Sequence, residues 1–179
     1  MNHQLALQYF ESAAIKIVLP NDLKEVEKAS DWVIDLITSV DLMEKEERSK
    51  LKMGLIEMLS NAVEHGNLEI GQYLKSKFSK EDKNDYFQFI DALKNDSSYR
   101  DRKVQLEVKI NPNSVTCIIT DEGSGFDLDT LPDATTEKEI TTPSGKGILM
   151  TRQVFVDEIH YNEKGNQVTL IKKISPKES

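Results

Sequence analysis

The stretch GLIEMLSNAVEHGN, residues 54–67, combines an apolar helical stripe with polar side chains that can carry chemistry. At about 100° per residue, Glu57, Asn61 and Glu64 fall on one side of a helix. The residues on the opposite, apolar arc are Leu55, Met58, Leu59, Ala62 and Val63. Taken alone, the stretch is more simply an amphipathic helix whose polar side faces water.

The composition is typical of one soluble globular domain. The chain has 179 residues, of which 38% are hydrophobic and 30% are charged, and this length suits one domain with a core better than two. The net charge of −8 argues against a general nucleic-acid binder, but not against a nucleotide held by local amides and a metal. No secretion signal or long apolar run is evident, so we expect a cytoplasmic protein without a membrane span.

Apolar periodicity predicts a strand and two long helices in the first half of the chain. Residues 14–19 alternate as in a strand, which Pro20 ends, and Asn21 is the expected N-cap of the first helix. The core stripe of this helix is predicted to be Leu23, Val26, Ser30, Val33, Ile37 and Val40, widened by Trp32 and Leu36. Residues 41–44 resemble a capping box for the second helix, and Gly66 is its expected C-terminal stop.

Residues 68–102 form a polar insertion with one predicted amphipathic helix, marked by Tyr86, Phe89, Ile90 and Leu93. An isolated helix of that length is only marginally stable in water, so it must pack on something. The pattern leaves open whether it covers the main domain or forms a partner surface.

The second half of the chain changes to a period of two, which predicts strands. Residues 103–110 alternate, and the apolar run in the paired strand at 115–120 indicates a central position in the sheet. A helix is predicted from 145 to about 154, followed by strands at 155–161 and 167–174. We therefore expect an α/β chain of the α+β two-layer sandwich type, with a mixed, mostly antiparallel sheet and helices on one face, forming one domain over the whole chain.

A first glycine-rich segment, DEGSGF at residues 121–126, follows a predicted strand. Asp121 closes this strand, and a carboxylate there can accept a hydrogen bond from the exocyclic amine of adenine. Gly123 and Gly125 allow the backbone to approach a ligand closely or to adopt positive φ. Taken alone, the segment is more simply a strand-ending turn.

A second glycine-rich segment, SGKGI at residues 144–148, lies at the expected start of a helix. Gly145 and Gly147 bracket Lys146, and the free amides at a helix start suit phosphate. The spacing is neither that of a P-loop nor that of a dinucleotide-binding fingerprint. Alone, a helix start with a surface lysine is the simpler interpretation.

Glu57 and Asn61 complete the candidate site, since they lie one helical turn apart and face the same cleft. An asparagine carbonyl suits Mg²⁺, and a nearby carboxylate can take a proton from an attacking hydroxyl or water. The three histidines have no metal-ligand spacing, and His65 either helps to shape the pocket or caps the helix C-terminus. Each feature alone is weak evidence for a nucleotide site, and the features together, in this order, are much stronger evidence.

These segments together resemble the GHKL ATPase superfamily and, more narrowly, the anti-sigma-factor serine kinases with their histidine-kinase-like ATPase domain. EMLSNAVEHGN resembles the family's N-box, DEGSGFD its first glycine box and SGKGILM its second. VDEIHYNEKGNQVTLIKK resembles the final hairpin. The resemblance runs from about residue 15 to residue 173.

The resemblance implies a Bergerat-type site for ATP and Mg²⁺. Glu57 matches the general base, Asn61 the Mg²⁺ ligand and Asp121 the carboxylate that recognises adenine. Thr169 matches a final-strand threonine that supports adenine recognition, and a lid is expected at about 127–144. The other implied nucleotide-binding residues are His65, Gly123, Gly125, Phe126, Gly145, Lys146, Gly147 and Ile148.

The implied function is that of an anti-sigma-type serine/threonine-protein kinase that phosphorylates a STAS-type anti-anti-sigma partner. By the same resemblance it would sequester a sigma factor and form a homodimer, without direct contact to nucleic acid. Residues 1–40 supply no phospho-accepting histidine motif, which disfavours a sensor histidine kinase. Two alternatives stay open: a nucleotide-dependent binding module that uses residues 68–102 as its contact surface, and an α/β domain whose glycines only form turns.

Overall fold

The computed structural model describes residues 10–71, 83–127 and 146–174, and the structural statements concern these ranges. The elements follow in chain order as strand β1 (Ala13–Pro20), helices α1 (Lys24–Ser39) and α2 (Lys45–Asn61), a first π-helical turn (Ala62–Asn67), helix α3 (Lys83–Asn95), strands β2 (Lys103–Asn111) and β3 (Ser114–Thr120), helix α4 (Lys146–Met150), a second π-helical turn (Thr151–Phe155), and strands β4 (Glu158–Tyr161) and β5 (Gln167–Lys173).

The five described strands form one sheet in the order β1-β2-β3-β5-β4. Every neighbouring pair in it is antiparallel, so the described sheet is antiparallel rather than mixed. β3 is the middle strand, as its apolar run predicts, and Cys117 pairs with Val108 on one side and Leu170 on the other. The end of β3 is therefore held between two strands, which fixes the position of the residues that follow it.

The two faces of the sheet differ in burial, as period-two alternation requires. On β2, Val104, Leu106, Val108 and Ile110 are buried, and the residues between them are at least partly exposed. The buried face forms a single core with the apolar sides of α1 and α2. Val18, on the opposite face, is 59% exposed. The predicted α+β two-layer arrangement, with helices on one face, is confirmed.

Helix α3 packs on the main body of the protein. Ile90 is buried in the common core, and Tyr86, Phe89 and Leu93 pack against it while partly exposed. Lys94 Nζ also forms an ion pair with Asp22 Oδ2 at 3.0 Å. Helix α3 therefore covers part of the main domain.

Three predictions about α1 and α2 are wrong: the N-cap of α1, the capping box of α2 and the burial of Trp32. The amide of Lys24 donates to Asp22 Oδ1 at 3.0 Å, whereas Asn21 is buried and donates its side chain to the Tyr99 carbonyl at 3.3 Å. Residues 41–44 do not place the N-cap of α2 at Asp41, because the N-cap is Glu44, which makes no side-chain capping bond. Trp32 is 39% exposed and does not extend the buried stripe of α1.

The packing of α2 on the sheet predicts a specific loss of stability in Leu55→Ala. Leu55 is fully buried, so truncation leaves a cavity and should lower the free energy of unfolding by about 2–5 kcal/mol. Val18→Ala, on the exposed face, should lower it by less than about 1 kcal/mol. Urea denaturation measures both values, and equal losses in the two variants would contradict the assignment of the faces.

Candidate functional site

Asp121 directly follows β3, and hydrogen bonds to the final hairpin hold its backbone. Its amide donates to the Asn166 carbonyl at 3.0 Å, and Asn166 Nδ2 donates to the Asp121 carbonyl, also at 3.0 Å. Its carboxylate accepts one bond from the Gly123 amide at 2.9 Å. The strand end, the hairpin and the following loop therefore fix where this carboxylate lies.

Gly66, in the first π-helical turn, lies directly against the Asp121 carboxylate. A Cβ on Gly66 would overlap the carboxyl group, and a Cβ on Gly123 would overlap the Gly66 carbonyl. Gly66 is not among the glycines with positive φ, and helical geometry continues to Asn67. The predicted C-terminal stop is therefore wrong: Gly66 is required for space, not for a left-handed conformation.

The turn itself is tied to the chain that follows it. The Leu68 amide donates to the Val63 carbonyl at 2.9 Å, and the Ile70 amide donates to the Glu64 carbonyl at 2.8 Å. His65 Nδ1 lies 2.6 Å from the Ile70 carbonyl, to which it donates when that nitrogen carries the proton. This contact links the turn to the segment that follows it and does not cap the last helical carbonyls.

Asn67 is a site residue that sequence reasoning missed, although it ends the decisive stretch. It is fully buried, and its Oδ1 accepts a hydrogen bond from the Glu122 amide at 2.8 Å. Its Nδ2 has no hydrogen-bond partner among the described residues. The available signal was a polar residue directly after a glycine at the end of an apolar helix. A polar side chain that is buried at such a place usually forms a hydrogen bond.

Helix α2 also meets the second glycine segment, through Glu57. A Cβ on Gly147 would overlap the Glu57 carboxylate, and Thr151 Oγ1 donates to the Gly147 carbonyl at 2.8 Å. Glu57 and Asn61 are both partly exposed on α2, one turn apart. The helix therefore contacts the first glycine segment through its C-terminal turn and the second through its middle.

The remaining residues of the second segment are only partly covered by the structure. Lys146 is exposed at the start of α4, and Ile148 packs against the core. Gly145 and residues 128–144 of the lid predicted at about 127–144 lie outside the described residues.

The glycines of the first segment pack against protein backbone in the structure. Gly125 has φ of 81° and lies against the Lys164 carbonyl, while Gly165 has φ of 75° and lies against the backbone of Phe126. Lys164 Nζ donates to the Gly123 carbonyl at 3.0 Å. These contacts hold the first glycine-rich segment against the final hairpin. Gly125 is therefore explained by this close packing and by its positive φ.

Phe126 lies at the edge of this region, 36% exposed. Its ring meets the ring of Tyr161 edge-on, with the centroids 5.3 Å apart. Tyr161 is also in contact with α2, since its hydroxyl lies 3.6 Å from Met58 Sδ. The structure thus places Phe126 on the hairpin side of the candidate cleft.

Thr169 is not brought together with the other predicted residues. Val168 and Leu170 are buried on the helix-covered face of β5, so Thr169 points to the opposite face, where it pairs with Ile118 and His160. The hairpin residue that contacts Asp121 is Asn166 instead. Period-two alternation in 167–173 contained this information, because any residue between two buried neighbours faces away from the core.

The electrostatics of Asp121 favour a hydrogen-bond donor as ligand. Burial raises the pKa of Asp121, and the Gly123 amide together with the charges of Lys164 and Arg102 only partly opposes this effect. A buried carboxylate that is short of donors gains from an amine that donates to it. An adenine ring fits this requirement, since its exocyclic nitrogen is a donor.

Glu57 and Asn61, in the last part of α2, fit Mg²⁺ only if the ligand supplies further oxygen atoms. Among the described residues, no three His, Cys, Asp or Glu side chains cluster closely enough to hold a metal ion. A magnesium ion at Asn61 would therefore take its remaining ligands from phosphate and water, which is how this ion usually binds nucleotides.

Comparisons with known proteins support the resemblance for part of the chain. Residues 94–172 match a family model described as the histidine kinase-like ATPase domain. This range includes Asp121, Gly147 and the final hairpin, but not residues 54–67. A comparison with curated proteins found no match. In addition, no helix among the described residues is long and apolar enough to cross a membrane.

The matched range and the fold are mutually consistent. A five-stranded antiparallel sheet with helices on one face is consistent with the Bergerat ATP-binding fold of that domain. Helix α2 lies before the matched range, yet it supplies Glu57 and Gly66 to the same region as the matched segments. The match therefore supports the GHKL superfamily.

Asp121→Asn should separate stability from ligand binding. Because the folded-state pKa is raised, the ionised carboxylate disfavours folding at neutral pH, and this effect disappears as the pH falls through that pKa. The variant should be as stable as the wild type or more stable at pH 7, and should bind ATP about 10–100-fold more weakly. Urea denaturation and calorimetry measure the two effects; a stable variant with unchanged ATP affinity would remove Asp121 from the site.

Gly66→Ala should disturb the site, because the new methyl group would occupy the space of the Asp121 carboxylate. We expect a loss of about 1–3 kcal/mol in the free energy of unfolding, together with weaker ATP binding. Gly71→Ala is the matched control, since nothing lies within 4 Å of a Cβ at that exposed glycine. If both variants retain wild-type stability and affinity, the contact between the turn and Asp121 is not as described.

Proposed function

We propose that the chain is an ATP-binding serine/threonine-protein kinase of the anti-sigma type. The observation that carries the proposal is the contact of α2 and its π-helical turn with both glycine segments: Gly66 meets Asp121, and Glu57 meets Gly147. Glu57 and Gly66 are nine positions apart, which corresponds to about 13 Å along the helix axis. One helix thus spans the distance between a base-recognising carboxylate and a phosphate-side segment.

At the base end, Asp121 would accept a hydrogen bond from the exocyclic amine of adenine. The carboxylate is already oriented by the Gly123 amide, and Asn67 holds the neighbouring Glu122 amide. A preoriented acceptor loses little freedom on binding, which favours both affinity and selectivity.

At the phosphate end, the chain offers Asn61 and Glu57. When bound, Mg²⁺ would neutralise charge on the phosphates of ATP, and Asn61 would be its protein ligand. Glu57 lies one turn away and is partly exposed, so it can accept a proton from an acceptor hydroxyl that enters the cleft. This pair supports phosphoryl transfer, whereas a carboxylate buried in a closed core would not.

The nature of the acceptor rests on the sequence resemblance. The four matching segments resemble anti-sigma-factor serine kinases, for which the acceptor is a serine or threonine of a STAS-type protein. Binding of a sigma factor, a homodimeric state and a cytoplasmic location belong to the same proposal. The matched family model supports ATP-dependent chemistry in general and does not identify the phosphoryl acceptor.

One observation favours a second function, that of a nucleotide-dependent binding module with little turnover. Phe87 on α3 is 57% exposed, although its neighbours on the helix pack on the core. An exposed aromatic side chain is suited to a protein contact. This reading predicts ATP binding by the wild type without transfer of phosphate.

Glu57→Gln distinguishes the two functions. With radiolabelled ATP, Mg²⁺ and candidate STAS proteins, the variant should transfer phosphate at least about 100-fold more slowly than the wild type, because the proton acceptor is lost. Glu27→Gln, an exposed change on α1, is the control and should keep wild-type activity. Undiminished transfer by Glu57→Gln would exclude Glu57 as the base, and wild-type protein that binds ATP without transfer would support the binding module.

A further inference from the structure

The insertion contacts the first π-helical turn through a buried polar bond. The Tyr86 hydroxyl on α3 donates to Glu64 Oε1 at 2.7 Å, and Glu64 is only 5% exposed. Burial and this bond both raise the pKa of Tyr86, so the phenol stays protonated and can donate at any physiological pH. A phenylalanine would fill nearly the same volume, so the hydroxyl contributes a directed bond rather than packing.

The end of the insertion contacts the same turn at a second point. Arg102 Nη1 donates to the Asn67 carbonyl at 2.8 Å and to Glu69 Oε1 at 2.9 Å. Its guanidinium lies 5.1 Å from the ring centroid of Tyr99. Glu69 has φ of 51°, a left-handed conformation that non-glycine residues seldom adopt without such support.

The two contacts of the insertion involve residues on either side of Gly66 in the sequence. Glu64 and Asn67 flank Gly66, which lies against the Asp121 carboxylate. Asn67 also bonds the Glu122 amide next to Asp121, and the Glu64 carbonyl accepts from the Ile70 amide. A shift of α3 would therefore move the turn relative to the carboxylate.

We propose that Tyr86 is a positioning residue for the nucleotide site, through which the insertion sets the base-binding end of the cleft. This inference rests on the proposed function, since the nucleotide is the ligand whose affinity Tyr86 controls. The hydroxyl bond to Glu64 keeps the turn in the position in which Gly66 lies against the Asp121 carboxylate. The insertion is then a control element for ATP affinity, and a partner that binds α3 would change that affinity.

Tyr86→Phe tests this proposal, with Tyr99→Phe as the matched control, which removes a hydroxyl from the same segment but keeps the ring beside Arg102. Calorimetry should show ATP binding weakened about fivefold or more in Tyr86→Phe and unchanged in Tyr99→Phe. In the nucleotide-free protein, the amides of Ile70 and Glu122 should exchange hydrogen faster in Tyr86→Phe only.

A purely structural role would lower the stability of Tyr86→Phe in urea but leave the ATP affinity of the folded protein unchanged, and that result would overturn the proposal. If the wild type binds no ATP, the proposed function fails. Unchanged exchange at Ile70 and Glu122 in Tyr86→Phe would overturn the positioning role independently of nucleotide binding.

Discussion

The contact between Gly66 and the Asp121 carboxylate is the constraint on which the rest of the site depends. It requires a residue without a side chain at one exact position of a helical turn, and a strand end that delivers a carboxylate to the same place. The helix before the turn is anchored in the core by fully buried leucines, and the strand is the middle one of the sheet. The geometry of the site is therefore set by a helix and a strand that both pack in the core.

The glycines around Asp121 allow backbone segments to pack closely against one another. Gly66 faces Gly123, Gly125 faces the Lys164 carbonyl, and Gly165 faces Phe126. The turn, the loop after β3 and the final hairpin are thus layered directly on one another, so the ligand-facing groups are the side chains between them. A closely packed backbone of this kind can hold a partly buried carboxylate in a fixed position for a ligand.

Much of the fold was predictable from periodicity alone. The alternation in 103–110, the apolar run around Cys117 and the stripe of α2 depend on burial of one face, and the structure confirms all three. Helix caps predicted from local sequence were wrong where the side chain bonds a distant group instead. Asn21 is an example, because its side chain donates to the Tyr99 carbonyl and not to a helix end. The role of Gly66 could not be predicted, because it depends on contact with Asp121, more than fifty positions away. For Asn67 the only signal was a polar residue at the end of an apolar helix, and its partner Glu122 is equally distant in the sequence.

The proposed function depends above all on recognition of adenine by Asp121 in a site formed with α2. Calorimetric titration of the whole chain with ATP and with GTP, each with Mg²⁺, tests it most directly. Adenine offers an amine donor where guanine offers a carbonyl acceptor, and a carboxylate can bond only the donor. The account predicts clear binding of ATP and binding of GTP at least about tenfold weaker; equal affinities, or no binding of either nucleotide by folded protein, would contradict it.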